Sequence, residues 1–559
     1  MASENIKFPD IGLITECSWE VCNKIGGIYT VLSTKAVELK KMFDDRLVFI
    51  GPDLNQGTES DAKGLFKERK TLLKSFSSKT LPYDLKVRCG RWNIPGSPLV
   101  LLVDFKPIFS RLNKVYGEIW ENFGVDSLHS YGDYDEGCAF AIASAIVAIE
   151  LGRHLKVDPS NQIAHYNEWT TGMGLLYMKM TQPETATVFT THATTIGRSI
   201  CGNGKPLYQY FANYNGDQMA SELNVVSKHS LEKMAAWNAD CFTTVSDVTA
   251  KECRQLLGRI PDVVTPNGFE PSFVPDSAKW IRLRKTGREK ILKIASLLND
   301  AKLPDDTFII ATSGRNEFRN KGLDLFLDTM KRIAGKVEGT NAYVLALVLV
   351  PAWVKQPSGD LLVDLDFGGW IKPDPDYLTH RLNNEDSDAI ACMIRRIEAE
   401  MAGEGLGNKL KIIFVPSYLN GNDGIVNISY YDFLPAIDLT VFGSYYEPWG
   451  YTPLESIAFG VPTVTTDKAG FGEWARLEKV DNLNENGVAV IARDDVNYWD
   501  NVDEISEIAV RYMLSSDDIK VNAMKGATET ASKAEWKFFI SEYEEAFKIA
   551  IENARKRNE

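Results

Sequence analysis

No two of the eight cysteines (Cys17, Cys22, Cys89, Cys138, Cys201, Cys241, Cys253 and Cys392) form a C-x-x-C pair. Thiols scattered in this way fit a reduced, cytoplasmic setting. No metal-ligand spacing such as H-E-x-x-H occurs among the six histidines. The most apolar run, AYVLALVLVPAW at 342–353, is too short to cross a bilayer and reads as a buried strand. The opening MASENIKFPD has no signal-peptide core. Neither half offers G-x-G-x-x-G after a strand, which disfavours a nicotinamide dehydrogenase. Positive charge is in deficit, with 62 Lys and Arg against 76 Asp and Glu and a net charge of −14. Nucleic acid and anionic membrane are therefore not expected as partners, although a local basic pocket could still hold a phosphorylated ligand.

What is present is an ordinary globular composition, 44% hydrophobic and 25% charged. At 559 residues the chain exceeds what one core usually serves. Short β-branched runs alternate with helical patterns throughout. In the first half they are IGLITECS, RLVFIGP, PLVLLVDF, IAHYNEW, ATVFTTHA and CFTTVS. In the second they are FIIATSGR, the 343–350 run, KIIFVP, LTVFGS, VPTVTT and GVAVIA. The alternation predicts an α/β chain of two Rossmann-like, doubly wound domains facing a central cleft. Their expected bounds are 1–280 and 281–530. Residues 531–559 form a helix whose apolar positions Trp536, Ile540, Tyr543, Phe547 and Ile551 share one face. Sequence leaves open whether that helix docks on the nearer domain or crosses back to the first.

Four polar clusters stand at predicted strand ends. In NKIGGIYT, Gly26 and Gly27 let amides approach an anion at a helix N-terminus, with Lys24 beside them, though a Gly-Gly after a strand also serves as a plain turn. HYNEW and THATTIGR supply His165, Glu168, Trp169, His192 and Arg198, where a single histidine could equally be a hydrogen-bonded core residue. SGRNEFRNKG places Arg315, Arg319 and Lys321 in one loop, either a phosphate grip or a solvated basic turn. The fourth cluster is SYYEPWGYTPLESIAFGVPTVTT, residues 444–466. There Thr452, Pro453 and Glu455 read as N-cap, N1 and N3 of a capping box. Glu447 has no such structural task. Flanked by Tyr446 and Trp449 as flat walls, it suits hydroxyl-rich sugar rings, and Glu455 could also accept a ribose hydroxyl.

KIGGIYT, the E-W of HYNEW, VFTTHAT-x-x-GR, VTPNG with Asn267, TSGR-x-EFRNKG and above all SYYEPWGYTPLE resemble, in this order, glycogen synthases of the animal and fungal type. The resemblance implies the type-B glycosyltransferase fold, a UDP-glucose donor, and growth of an α-1,4-glucan at its non-reducing end with retention of configuration. Carried over by motif, Arg315 and Lys321 hold the diphosphate with Arg198 assisting, and His192 lies by the reacting glucose. Glu447 binds the glucose hydroxyls and Glu455 the ribose. Lys24, Gly26 and Gly27 cover the sugar phosphate from the opposite domain, Glu168 lies on the acceptor side, and Asn267, Tyr446 and Trp449 complete the binding set. No cofactor and no metal is expected, since Arg and Lys take the metal's place. The implied partners are glycogen, a primer protein and further copies of the chain; donor preference, oligomer size and the primer's identity stay open. ADP-glucose or a small acceptor is the alternative within enzymes. A catalytically inactive glycan-binding protein is the alternative outside them, and Arg315, Lys321, Glu447 and Glu455 together argue against it.

Two departures from the family pattern stand out. Asn167 occupies a position where the family usually shows histidine. The arginine-dense helix that senses glucose 6-phosphate, and the long Ser-rich phosphorylated tail, have no counterpart. In the helix's place the chain reads SSDDIKVNAMKGATETASKAEW (515–536), with Lys520, Lys525 and Lys533 but no arginine. Arg555, Lys556 and Arg557 fall at the extreme terminus, where fraying is expected. The expectation is activity without glucose 6-phosphate.

Overall fold

The computed structural model describes residue 8 and residues 10–54, 64–69, 71–299, 301–367 and 373–558. Contacts divide the chain into one unit of Met1–Glu270 with Glu535–Glu559 and a second of Pro271–Ala534.

In the first unit the strands are β1 (Leu13–Cys17), β2 (Leu47–Pro52), β3 (Phe66–Glu68), β4 (Lys86–Trp92), β5 (Leu99–Asp104), β6 (Gln162–Asn167), β7 (Ala186–Thr191), β8 (Cys241–Thr244) and β9 (Val263–Val264). They lie in the order β3-β4-β5-β2-β1-β6-β7-β8-β9. All pairings are parallel except those of β4, which runs against both of its neighbours. In KVRCGRW, Val87 and Cys89 are buried and alternate with Lys86 and Arg88, and Trp92 is buried at the strand's end. The central strands β1, β2, β6, β7 and β8 are buried along their whole length, as a sheet covered on both faces requires. From β1 the chain builds outward through β2, then returns at β6 on the other side. The switch point therefore lies between β1 and β6, where ligands bind in doubly wound sheets.

Helix α1 (Gly27–Phe43) follows β1 and α2 (Tyr134–Leu155) precedes β6. Helix α2 is long and apolar enough to cross a membrane by length and composition, but 83% of its apolar window is buried inside the protein. It packs on α3 (Trp169–Thr181), where a side chain on Gly174 would collide with the Ala141 carbonyl. Two more helices complete this unit's working parts, α4 (Thr195–Gly202) and α5 (Val226–Asn238).

The second unit holds β10 (Phe308–Ser313), β11 (Val344–Leu349), β12 (Val354–Pro357), β13 (His380–Leu382), β14 (Leu410–Val415), β15 (Leu439–Val441), β16 (Thr463–Thr466) and β17 (Val488–Ile491). Six of them form an all-parallel sheet in the order β14-β11-β10-β15-β16-β17, and β12 and β13 form a separate antiparallel pair. Here the switch point falls between β10 and β15. Helix α6 (Leu323–Val337) follows β10, α7 (Tyr451–Ala458) follows β15, and α8 (Asp517–Lys533) closes the unit.

The terminal helix α9 (Trp536–Asn558) packs on α1, β7 and β8, which settles it on the first unit. Its Trp536 indole donates to Thr34 Oγ1 at 2.7 Å, and Phe547 meets Phe8 and Phe43 edge-on. Within the terminal cluster, the Arg557 guanidinium pairs with the carboxylate of buried Asp240.

Candidate active site

The loop after β1 carries the first cluster. The Gly26 and Tyr29 amides, at the start of α1, both donate to Glu20 Oε2 at 2.8 Å. An internal carboxylate thus takes the place expected for an external anion. Lys24 is exposed, 5.7 Å from the Tyr29 ring centroid. A side chain on Gly27 would meet nothing within 4 Å, so this face of the turn is open.

Glu168 follows β6 with φ 68° and ψ 165°, a conformation that costs a non-glycine residue of order 1–3 kcal/mol. Its surroundings enforce it. The Glu168 amide donates to the Thr190 carbonyl at 2.9 Å, and its Oε1 accepts from the His192 and Ala193 amides at 3.0 Å each. Two further buried glutamates hold the same HATTIG loop. Glu232, on α5, accepts from the Thr195 amide at 2.8 Å and from Thr191 Oγ1 at 3.2 Å. Glu252 accepts from Thr194 Oγ1 at 2.7 Å, and its carboxylate leaves no room for a side chain at Gly197. Burial pushes the carboxyls of Glu168 and Glu232 well above the carboxylate range, and each one's proximity to charge modulates this: Arg198 lowers Glu168, while Glu168 raises Glu232. Arg198 itself is exposed.

Beneath this loop runs a buried polar chain. Lys35 and Glu16, both fully buried, pair at 2.9 Å, and the Tyr543 ring of α9 covers the ammonium at 4.2 Å. Glu16 also accepts from Asn167 Nδ2 at 2.9 Å and contacts His165 Nδ1 at 3.1 Å. Removing one partner of such a pair typically costs about 3–5 kcal/mol. His165 is accordingly a core residue, its Nε2 meeting Thr190 Oγ1 at 2.7 Å. His192 meets Asn167 Oδ1 through Nε2 at 3.0 Å and is 8% exposed. Burial pushes His192 down to about 3, helped by the charge of Lys35, so its imidazole is neutral at physiological pH. Asn267 is buried, in the turn whose Gly268 lies under the Trp536 ring.

The second cluster gathers at the switch point of the second unit. Lys321, in the loop after β10, donates from Nζ to Glu447 Oε2, in the loop after β15. Arg315 lies nearby in sequence, half exposed and paired with Glu317 at 2.8 Å. The loop carrying Glu447 is pinned by backbone: the Tyr445 and Tyr446 amides donate to the Asn320 carbonyl at 2.9 and 3.1 Å, and the Gly470 amide to the Glu447 carbonyl at 3.1 Å. Tyr446 and Trp449 are 3% exposed each, and Trp449 lies edge-on to Phe471. They brace the loop from within instead of presenting open faces.

Helix α7 corrects the capping-box expectation. It begins at Tyr451 after Gly450, which has φ 104° and no side-chain cap. Thr452 is therefore inside the helix and Glu455 lies in its second turn. Gly450, with its positive φ, stands at the N-cap two residues before the expected threonine cap. Glu455 is 8% exposed and accepts from the Tyr431 hydroxyl at 2.7 Å, while the Tyr431 ring stacks on Phe459 and Phe273.

Sequence reasoning missed Glu20, Glu232, Tyr431 and Arg493. Arg493 is 3% exposed, 5.6 Å from the Tyr445 ring centroid and 3.9 Å from Asp324, with Arg319 over the same ring at 4.6 Å. Its signal was present: RDD (493–495) immediately follows the apolar GVAVIA run. Among the described residues no three His, Cys, Asp or Glu side chains converge as a metal site.

Two parallel α/β units with polar loops at their switch points constitute the fold of the type-B glycosyltransferases. The catalytic domain of starch synthase IV from Arabidopsis thaliana, solved with ADP and acarbose, superposes with a TM-score of 0.54 at 12% identity, covering 97% of this chain and 100% of that one. The trehalose-6-phosphate phosphatase N-terminal domain of Candida albicans gives 0.50 at 11%, covering 96% and 97%. The glycogen synthase family model matches residues 16–362 and 372–558, and the chain belongs to that family. Glycogen [starch] synthase of Neurospora crassa is 28% identical over 97% of this chain and 84% of its own length. The rat liver protein is 27% identical over 99% and 85%, and isoform 2 of Saccharomyces cerevisiae 27% over 96% and 86%.

Proposed function

We propose that the protein transfers glucose from UDP-glucose to the non-reducing end of an α-1,4-glucan with retention of configuration. The observation that carries this reading is the Lys321–Glu447 pair at the β10/β15 switch point of a glycogen synthase-family chain. A cation and a carboxylate side by side match a donor that offers diphosphate oxygens next to sugar hydroxyls. In this reading Lys321 and Arg315 receive the diphosphate, with Arg198 assisting, and Glu447 binds the glucose hydroxyls. Glu455, oriented by Tyr431, accepts from the ribose. Lys24, with the open turn at Gly27, covers the sugar phosphate while Glu20 holds the Gly26 amide, and Glu168 and Asn267 serve the acceptor side. Tyr446 and Trp449 hold the Glu447 loop in shape.

Transfer proceeds on one face of the sugar. The bond from C1 to the diphosphate oxygen breaks, the acceptor 4-oxygen bonds to C1, and the 4-hydroxyl proton passes to the departing diphosphate. The protein's part is to stabilise the charge that develops on the leaving group and on the glucosyl cation. Cationic side chains do this without a metal. The enzyme works in the cytoplasm as a homo-oligomer on glycogen, with a primer protein supplying the first chain. The test is incubation of the full chain with labelled UDP-glucose or ADP-glucose and a glucan primer, after chelation of divalent metal. Polymer extension from UDP-glucose supports the reading; preference for ADP-glucose, or strict dependence on Mg²⁺ or Mn²⁺, overturns its donor or metal component.

A further inference from the structure

Asn167, the last residue of β6, lies between the buried ion pair and the loop after β7. Its amide nitrogen donates to Glu16 Oε1 at 2.9 Å and to the Cys17 carbonyl at 3.2 Å. Both acceptors lack hydrogens: one is a carboxylate held ionised by Lys35 and His165, the other a backbone oxygen. The amide can therefore not be flipped without setting oxygen against oxygen, and its Oδ1 must face His192. That oxygen can only accept. His192 Nε2, 3.0 Å away, must then carry the proton. Among the described residues no hydrogen bond engages His192 Nδ1. The same carboxylate imposes the opposite tautomer on His165, whose Nδ1 must donate to Glu16 Oε2 and whose Nε2 accepts from Thr190 Oγ1. One buried carboxylate thus dictates two histidine tautomers, directly for His165 and through Asn167 for His192. Register makes this possible, because Glu16 and His165 are paired residues of β1 and β6, and Asn167 lies two residues further on.

We infer that Asn167 is a positioning residue that holds His192 as the neutral Nε2–H tautomer, leaving Nδ1 to accept a hydrogen bond from a hydroxyl of the sugar substrate. Identifying that group as a sugar hydroxyl rests on the proposed glucosyl transfer; the tautomer assignment does not. A bare Nδ1 repels a phosphate oxygen and attracts a hydroxyl, so the imidazole sorts the sugar end of a nucleotide sugar from its phosphate end.

The test is ¹⁵N NMR of protein labelled selectively at its six histidines. His192 is assigned by its loss in His192→Gln and His165 by its loss in His165→Gln. The wild type should show His192 not titrating between about pH 5 and 8, with His192 protonated on Nε2 and neutral His165 on Nδ1. In Asn167→Leu, His165 should keep its tautomer, which reports an intact fold, while His192 becomes a mixture. Turnover in that variant should fall about 10²-fold, with KM for the donor changed no more than about threefold, as misplacement of a reacting-site group predicts. His192 protonated on Nδ1 in the wild type, or unchanged in Asn167→Leu, overturns the inference. If the tautomers are as stated but no glucose is transferred, the positioning stands and the proposed function fails.

Discussion

Lys321 and Glu447 stand 126 residues apart in sequence and form an ion pair in which each side chain is 14% exposed. The pair joins the loops after β10 and β15, neighbouring strands on either side of the point where strand order reverses. Backbone contacts also pin the loop that carries Glu447, through the Tyr445, Tyr446 and Gly470 amides.

Replacing Lys321 or Arg315 by Ala should lower turnover by roughly 10²–10³ each, the usual loss for one preorganised charge stabiliser. Glu447→Gln should abolish most activity with little change in thermal unfolding. Because Lys321 and Glu447 touch, the double variant should lose far less than the product of the single losses. Steady-state kinetics on the four proteins checks this, and strictly multiplicative losses would separate their roles.

Glu455 should divide stability from activity. In Glu455→Gln the amide oxygen can still accept from Tyr431, so stability should be nearly retained while activity falls. Glu455→Ala leaves the buried Tyr431 hydroxyl without its acceptor and should cost about 1–3 kcal/mol. Denaturant unfolding of both variants measures the difference; equal stability of Glu455→Ala and wild type would contradict the role assigned to that hydrogen bond.

The buried parallel strands such as β1, β2, β7, β10 and β11 were legible as short apolar or β-branched runs, whereas β3, β4, β9, β12 and β13 are too short or too polar to read that way. The helix starting after Gly450 was misread because T-P-L-E satisfies the capping template, whereas the cap is Gly450, whose positive φ no sequence template marks. The Glu16–Asn167–His192 chain was not legible at all. It depends on the β1/β6 register, which brings together residues some 150 positions apart. Tyr446 and Trp449 were read as open walls because aromatic composition does not say which face is packed.

Stability should fall as pH rises above the ordinary carboxylate value. Glu168 and Glu232 are raised to about 7 and about 8 in the folded protein, by burial first, from 4.5. Between about pH 4.5 and about 8 the folded state therefore holds protons that the unfolded chain has released, and each step up in pH favours unfolding. Glu232→Gln should flatten this dependence, which thermal melts across that range will detect. An unchanged slope would remove Glu232 from the account.

Glucose 6-phosphate should leave the rate largely unaltered. A cavity of about 220 Å³ beside α8 is lined by Arg284, Arg288 and Lys520 but also by Asp306, Asp438 and Asp517. Asp438 binds both arginines, at 2.5 and 2.8 Å, so their donors are engaged. A dianion would have to displace this carboxylate. Titration of glucose 6-phosphate into the transfer assay decides it, with activation of about tenfold or more as the contradicting result.

The central claim is that the switch-point pair of the second unit carries glucosyl transfer from a nucleotide sugar to glucan. The most direct measurement is incorporation of labelled glucose from UDP-glucose into a glucan primer by wild type and Glu447→Gln at matched folded concentration, followed by digestion with an enzyme specific for α-1,4 linkages. The account predicts label in the polymer with wild type, fully released by that digestion, and almost none with Glu447→Gln. Equal incorporation by the two proteins, or none by wild type from any nucleotide glucose, would contradict it.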